Sequence, residues 1–358
     1  MSTPVAAPQD EAAAAGRGSD YAALSRLIKS AGLLDRRPAA YTVQIAATLA
    51  FFLATFVVVW WVGDSWYQTI AAAVMGVAFT QVAFLGHDGG HQQVFATQRA
   101  NDLFGRLTGN LLVGLSYGWW VGKHNRHHAN PNKEEHDPDI GDRVFVFTTQ
   151  QAANRSGWLG RFVLRRQAWL FVPLLTLEGL NLHAASVGSV LSGTERSPRG
   201  GRRGTELLLL LVHTVGYLGG LSLVMSPVKV LVFVVIQEAI FGLYMGLSFA
   251  PNHKGMLILS SDEQLDYLRR QVLTSRNVRG GMLTDVLLGG LNYQIEHHLF
   301  PNMPRHSLRR AQQVVRSYCA DVQVSYTETS LLGSYTAALS YLSQLGATAR
   351  GRVSGQHA

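Results

Sequence analysis

Three histidine clusters punctuate a chain of 358 residues: HDGGH at 87–91, HNRHH at 124–128 and QIEHH at 294–298. Imidazole nitrogen is the commonest protein ligand for iron, zinc and copper. On a helix, spacings of three and four put His87 with His91, His124 with His127 and His128, and Gln294 with His297 and His298. Neighbouring histidines point about 100° apart at ~3.6 residues per turn, so one His-His pair serves two cations on either side. His253, in PNHKG, completes a candidate ligand set of His87, His91, His124, His127, His128, His253, His297 and His298. One zinc takes about three or four such ligands and leaves the rest unexplained, whereas two irons use them. A lone HxxxH occurs on ordinary surfaces; three clusters together read as a metal site. His136, His183, His213, His306 and His357 are expected to be surface, satisfied interior or neighbouring groups. The one cysteine, Cys319, allows neither an internal disulfide nor a Cys-rich metal site.

The elements that must position these clusters are membranous in composition. The chain is 47% hydrophobic and 15% charged, against about 25% charged in soluble domains. Residues 41–62, 68–86, 205–225 and 228–249 read as four spans, each near the ~20 residues that cross a bilayer. The GDSWY loop between the first two carries interfacial aromatics. Residues 102–122 read as a shallow interfacial segment. Residues 167–190 are apolar but hold Glu178, Asn181 and His183 between two arginine-rich flanks, and are expected to be re-entrant. Glu238, inside the last span, is expected to face protein or a water-filled site. Residues 21–38, with Arg26, Lys29, Arg36 and Arg37, are amphipathic and expected on the membrane surface.

The net charge is +8, carried by residues flanking apolar runs and not by a nucleic-acid-type block. Even span count and a basic N-terminal flank put both termini, and all the histidine clusters, on the cytoplasmic side. The expected fold is thus an all-α integral membrane protein, four transmembrane helices with a cytoplasmic helical cap holding a histidine-rich site for two metal ions. The expected divisions are a cytoplasmic leader (1–38, disordered then amphipathic), a central domain (39–325) and a C-terminal cytoplasmic tail (326–358) with a disordered end. No cleavable signal is read in the first 20 residues.

As a set, the clusters resemble the three boxes of the membrane fatty acid desaturases: HxxxH, HxxHH and (H/Q)xxHH. His253 is similar to that family's additional histidine between boxes two and three. The glutamine-first third box, continued as LFPNMPRH, looks like the branch that includes front-end (Δ5/Δ6-type) and related bacterial enzymes. The resemblance runs from about residue 40 to 315. It implies a di-iron centre bound by the box histidines, a four-span fold with a cytoplasmic cap, and O₂-dependent insertion of a cis double bond into a fatty acyl chain, CoA- or lipid-linked. Many front-end relatives carry a fused cytochrome b5 with an HPGG haem motif, which this sequence lacks. Electrons from NAD(P)H are therefore expected through a separate ferredoxin or a cytochrome b5 with its reductase, recruited by the basic cytoplasmic surface. A bacterial plasma membrane is the expected location, or the endoplasmic reticulum for a eukaryotic chain. No nucleic acid partner is expected.

Two other readings share some features. A membrane di-iron hydroxylase or ketolase has the same histidine architecture. A histidine-lined metal transporter would line a path through its spans, whereas these clusters lie outside them.

Overall fold

The computed structural model describes residues 19–141, 143–194 and 196–354. The leader expected to be disordered (its first 18 residues), the end of the tail and His357 lie outside the described residues. Helix α1 (Asp20–Ser30) starts where the Ser19 side chain accepts from the Ala22 amide. Two long apolar helices follow, α2 (Pro38–Val62) and α3 (Gln68–Gly90). Pro38 at the first turn of α2 gives up no hydrogen bond there. Gln68 reaches back and donates to the Val59 and Gly63 carbonyls at the end of α2, where helix bonds run out.

Helix α4 (Gln98–Arg106) runs into a π-helical stretch, Leu107–Val113, before α5 (Tyr117–Ala129). After α6 (Thr149–Asn154), helices α7 (Trp158–Leu175) and α8 (Glu178–Ser192) form a pair bent by 80°. The second long hairpin is α9 (Arg203–Ser222) and α10 (Pro227–His253). The remainder is α11 (Tyr267–Leu273), β1 (Asn277–Arg279), α12 (Met282–Leu287), α13 (Gln294–Leu299), α14 (Arg305–Asp321), β2 (Glu328–Ser330) and α15 (Leu331–Ser354).

Among the described residues, α2, α3, α9 and α10 are the four single helices long and apolar enough to cross a membrane; a fifth span requires counting the bent pair as one. The expected spans are thus present, three of them longer by a few residues and the third shifted to Arg203–Ser222. The extra turns of α3 and α10 carry His87 and His253. The 80° bend shows that no straight helix crosses at 167–190. α3 is central: α2 packs on one side and α10 on another, around Phe52, Met75, Phe79, Val82, Phe233 and Phe241. At the end far from the histidines, Asp64 accepts from the Ser226 amide and hydroxyl and from Lys229, tying the two hairpin loops together. Trp60, Trp61, Trp66 and Tyr67 are exposed around that end, as interfacial aromatics are.

One expectation needs correction. The amphipathic 21–38 segment does not turn its apolar face to a membrane. Leu24 and Ile28 of α1 are fully buried with Leu268, Val272, Leu299, Leu308, Ala311, Val315 and Cys319. Burying each gains about 2 kcal/mol, and Asp20 pairs with Arg269 at 2.9 Å. The fold is mostly helical, as expected of an all-α membrane protein, with one short two-stranded parallel ribbon of β1 and β2, Asn277 to Glu328 through Arg279 to Ser330. The division at 325/326 is no break in packing, because that ribbon straddles it and α15 packs along α7, burying Leu342 with Phe171 and Leu175.

A buried carboxylate locks the segment before α9 onto α5. Glu206 is fully buried and accepts from the Ser116 hydroxyl (3.1 Å), the Gly118 amide (2.8 Å) and the Arg196 Nε (2.8 Å). Removing one partner of such a pair strands the other, at a cost of about 3–5 kcal/mol. Glu206→Ala is expected to lower the melting temperature of the detergent-purified protein markedly, while the exposed Glu263→Ala leaves it unchanged.

Candidate metal centre

The eight candidate histidines arrive from four elements. His87 lies in the last turn of α3 and His91 caps it; His124, His127 and His128 come from α5; His253 ends α10; His297 and His298 come from α13. All eight are buried. The ring nitrogens of His87, His91, His124 and His297 lie within 4.8 Å of one another, and so do those of His127, His253 and His298. His128 stands between the two groups, its ring 4.6 Å from that of His91 and 4.2 Å from that of His298. Each adjacent pair is split as the helix geometry requires. His297 faces one group and His298 the other, their rings inclined at 84°, and His127 and His128 diverge at 83°.

Close approach of α3 and α5 depends on Gly90. A Cβ there would lie 2.3 Å from the Trp120 ring, which stacks on His124 at 4.5 Å and meets His87 edge-on at 5.4 Å.

The charge state suits a cation site. Burial first, then the neighbouring imidazoles, hold His91, His124, His128 and His298 well below the ordinary histidine range; His297 is lowered in the same way. Uncharged rings keep a lone pair for a cation, and here His124 Nε2 lies 2.9 Å from His91 Nε2 and 3.0 Å from His128 Nε2. His127 differs: burial opposes its charge, but Asp137 and then Asp139 outweigh burial and raise it. Outer partners fix several rings. His127 Nδ1 lies 3.0 Å from both Asp137 oxygens, His253 Nδ1 is 3.0 Å from the Thr274 carbonyl, and His298 Nδ1 is 3.0 Å from the Gln271 Oε1. A donor on that nitrogen leaves Nε2 as the acceptor pointing inward. His87 Nε2, His128 Nδ1, His297 Nε2 and His298 Nε2 are buried without a hydrogen-bond partner in the protein. Buried polar atoms ordinarily have partners, so this cluster of unpaired nitrogens fits metal ions.

Gln294 lies beside the second group, its Nε2 3.0 Å from His253 Nε2, while its Oε1 accepts from Asn252. His183 stands apart from the centre, its nitrogens 2.9 Å and 3.0 Å from the Gly179 and Val113 carbonyls, with Glu238 at 3.4 Å. His136 bonds the Glu134 carbonyl, His213 the Leu111 carbonyl, and His306 meets Tyr41 edge-on. Sequence reasoning missed the outer partners Asp137, Gln271 and Thr274. It also missed Arg305, which pairs with Asp88 at 2.6 Å beside His87. Only Asp137 left a local signal, a carboxylate a few residues beyond HNRHH. The others come from remote segments.

A narrow apolar cavity abuts the centre. His87 and Trp120 stand at it, with Phe84, Gly109, Val113, Leu115, Met245 and Phe249 along its walls.

Four long apolar helices, with eight imidazoles gathered from the ends of two of them and from α5 and α13, define a histidine-rich membrane protein of metalloenzyme type. The fatty acid desaturase family model matches residues 64–330, and the chain belongs to that family. It is 31% identical over 300 residues to the Delta(5) fatty acid desaturase fat-4 of Caenorhabditis elegans, covering 82% of this chain and 66% of that one. It is 28% identical over 310 residues to an acyl-lipid (9-3)-desaturase of Physcomitrium patens (81% and 56%). It is 25% identical over 343 residues to a Delta(8)-fatty-acid desaturase of Helianthus annuus (92% and 74%). The chain thus spans between 56% and 74% of the length of these relatives.

The Asp137 oxygens also accept from the Asn132 and Asp139 amides, so this carboxylate serves as an orienting partner. Loss of such a partner weakens metal binding by about 10–100-fold. Asp137→Asn is expected to show that loss when metal bound per chain is titrated against free divalent metal, with helical circular dichroism retained.

Proposed function

We propose that the chain is an O₂-dependent fatty acyl desaturase that forms a cis double bond in a CoA- or lipid-linked acyl chain. The observation that carries this reading is the meeting of eight buried imidazoles with an apolar cavity at His87. His87, His91, His124 and His297 would hold one iron, His127, His253 and His298 the other, with His128 between them. Two irons bound there supply the oxidising power that an unactivated methylene pair requires. In balance, the acyl chain gives up two hydrogens and an external donor gives two electrons, with two protons from water, so that O₂ leaves as two waters.

The protein's part is placement. Phe84, Val113, Leu115, Met245 and Phe249 give an acyl chain an apolar wall and exclude water from the reacting carbons. Trp120 closes the space against His87 and His124. Asp137, Gln271 and the Thr274 carbonyl keep the imidazole lone pairs turned inward, so no reorganisation is needed when charge changes at the centre.

We also read the histidine end as cytoplasmic, with α1, α5 and α11 to α15 forming a cap over it. Arg26, Lys29, Arg36, Arg37, Arg305, Arg309, Arg310 and Arg316 belong to elements at that end. The far-end loop 63–67 contains no basic residue, and Lys229 lies just inside α10. This asymmetry follows the positive-inside rule, and a plasma membrane is the location we infer. The basic end also suits an acidic ferredoxin, or a cytochrome b5 with its reductase, as electron donor.

Expression in a host with a defined acyl pool is expected to yield fatty-acid methyl esters two mass units lighter than their precursors. A gain of one oxygen would instead indicate a hydroxylase. Alanine at His87, His128, His253 or His298 is expected to abolish that product while the protein accumulates, and purified protein is expected to hold about two irons per chain. Met245 lies two turns from His253 along α10, so Met245→Trp is expected to shorten the chains accepted. The measurement is the chain-length profile of the products, which an unchanged profile would contradict.

A further inference from the structure

Helix α12, outside the four spans, turns its apolar side chains outward. It has no buried residue, and Met282, Leu283, Val286 and Leu287 are 78%, 71%, 61% and 44% exposed. Four large apolar side chains on six residues form a contiguous patch that water would not favour. Its polar atoms turn elsewhere. Asp285 pairs with Arg309 at 2.7 Å and accepts from Asn292 at 2.9 Å.

The depth of α12 is fixed by two hydrogen bonds. The Val286 carbonyl accepts from Gln81 Nε2 at 3.4 Å, and the Leu287 carbonyl accepts from the Tyr244 hydroxyl at 2.5 Å. Gln81 belongs to α3 and Tyr244 to α10. At ~1.5 Å per residue, both lie about 13 Å before the histidine-bearing ends of α3 and α10. The helix therefore rests against the flank of the two spans within their length, not above them. Its last carbonyls receive donors from the spans, Val286 in addition to the Gly289 amide, as lipid-exposed backbone must.

Directly behind α12 lies the wall of the cavity. Gly289 has φ +60° and packs flat on Phe84, whose ring would be 2.6 Å from a Cβ at that position. Tyr244 meets the same ring edge-on at 6.1 Å. Phe84 lines the cavity that reaches His87. The path from lipid to cavity on this side thus crosses α12, the Gly289 turn and the Phe84–Tyr244 pair.

We propose that α12 is embedded in the acyl region of the bilayer and forms the lateral entrance through which a lipid-linked acyl chain passes between α3 and α10 into the cavity. The occupant of the exposed face is lipid, because the patch continues the apolar flank of both spans. The turn after α12 leads within a few residues to α13, so the entrance and the His297–His298 pair are parts of one connection. This deepens the desaturase reading by assigning a membrane lipid, taken sideways, as the substrate.

Two measurements on the full chain in phosphatidylcholine vesicles test it, and neither needs turnover. A nitroxide on Leu283→Cys, with the buried Cys319 left unlabelled, is expected to be relaxed more strongly by O₂ than by an aqueous nickel chelate, as one on the exposed Val57→Cys of α2 should be. Dominant relaxation by the chelate would overturn the placement. Phosphatidylcholine bearing a diazirine in its acyl chain is expected to label the 83–87 and 245–249 segments, and at least tenfold less in Leu283→Lys. No labelling there, or equal labelling in the variant, would overturn the entrance. If the wild type labels as expected but forms no double bond, the desaturase reading fails and the entrance stands.

Discussion

The rest of the structure depends on keeping a crowd of imidazoles uncharged in one dry space. Each imidazolium buried there would lose hydration and repel its neighbours, and both effects hold rings such as His91, His124 and His128 neutral, His127 beside Asp137 being the exception. Neutrality alone is insufficient, because a neutral ring has one donor and one acceptor nitrogen. The acceptor must point inward for eight rings from four elements at once. That requirement explains acceptors at the outer edge such as Gln271 and the Thr274 carbonyl. It also explains why α3 and α10 extend beyond the lengths their apolar runs suggest.

Charge is admitted at the edge, where it anchors elements to one another. Asp137 serves His127 on α5. Arg305, at the start of α14, pairs with Asp88 and donates to the Phe84 carbonyl, binding the segment after the third cluster to α3. Glu296, between Ile295 and His297 of α13, is pushed by burial to about 7 and accepts from Asn277 and Tyr326. Those contacts join the third cluster to β1 and to the chain leading into β2, so residues beyond 325 help hold His297 and His298.

The four spans were legible in sequence because a bilayer demands long uncharged runs, and the clusters because histidines at spacings of three and four converge. Desaturase family membership followed from those clusters and holds over residues 64–330. What sequence hid was partnership across distance. The apolar stripe of α1 is the same whether lipid or protein covers it, and only the fold shows that α11 and α14 do. Gln271 and Thr274 look like ordinary polar residues on a short helix. The π-helical stretch at 107–113 has no compositional mark, yet it brings Gly109 and Val113 to the cavity.

The two groups of rings in the proposed centre are unequal, and Gln294 makes them so. One gathers four imidazoles, the other three with an amide beside them. Asn252 donates to the Gln294 carbonyl oxygen and to the Ser248 and Leu291 carbonyls, so it holds the amide with its NH₂ toward His253. His253 donates from Nδ1 to the Thr274 carbonyl, which makes Nε2 the acceptor of that NH₂. One lone pair cannot serve both a Gln294 N–H and a cation. A cation in the second group therefore competes with Gln294 for His253, and the Asn252 grip resists the amide's turning aside. A histidine in place of Gln294 would add a nitrogen in an environment built to hold a carbonyl oxygen. The glutamine is thus part of a local network with Asn252, and the inequality between the groups is set by that network as much as by the count of histidines.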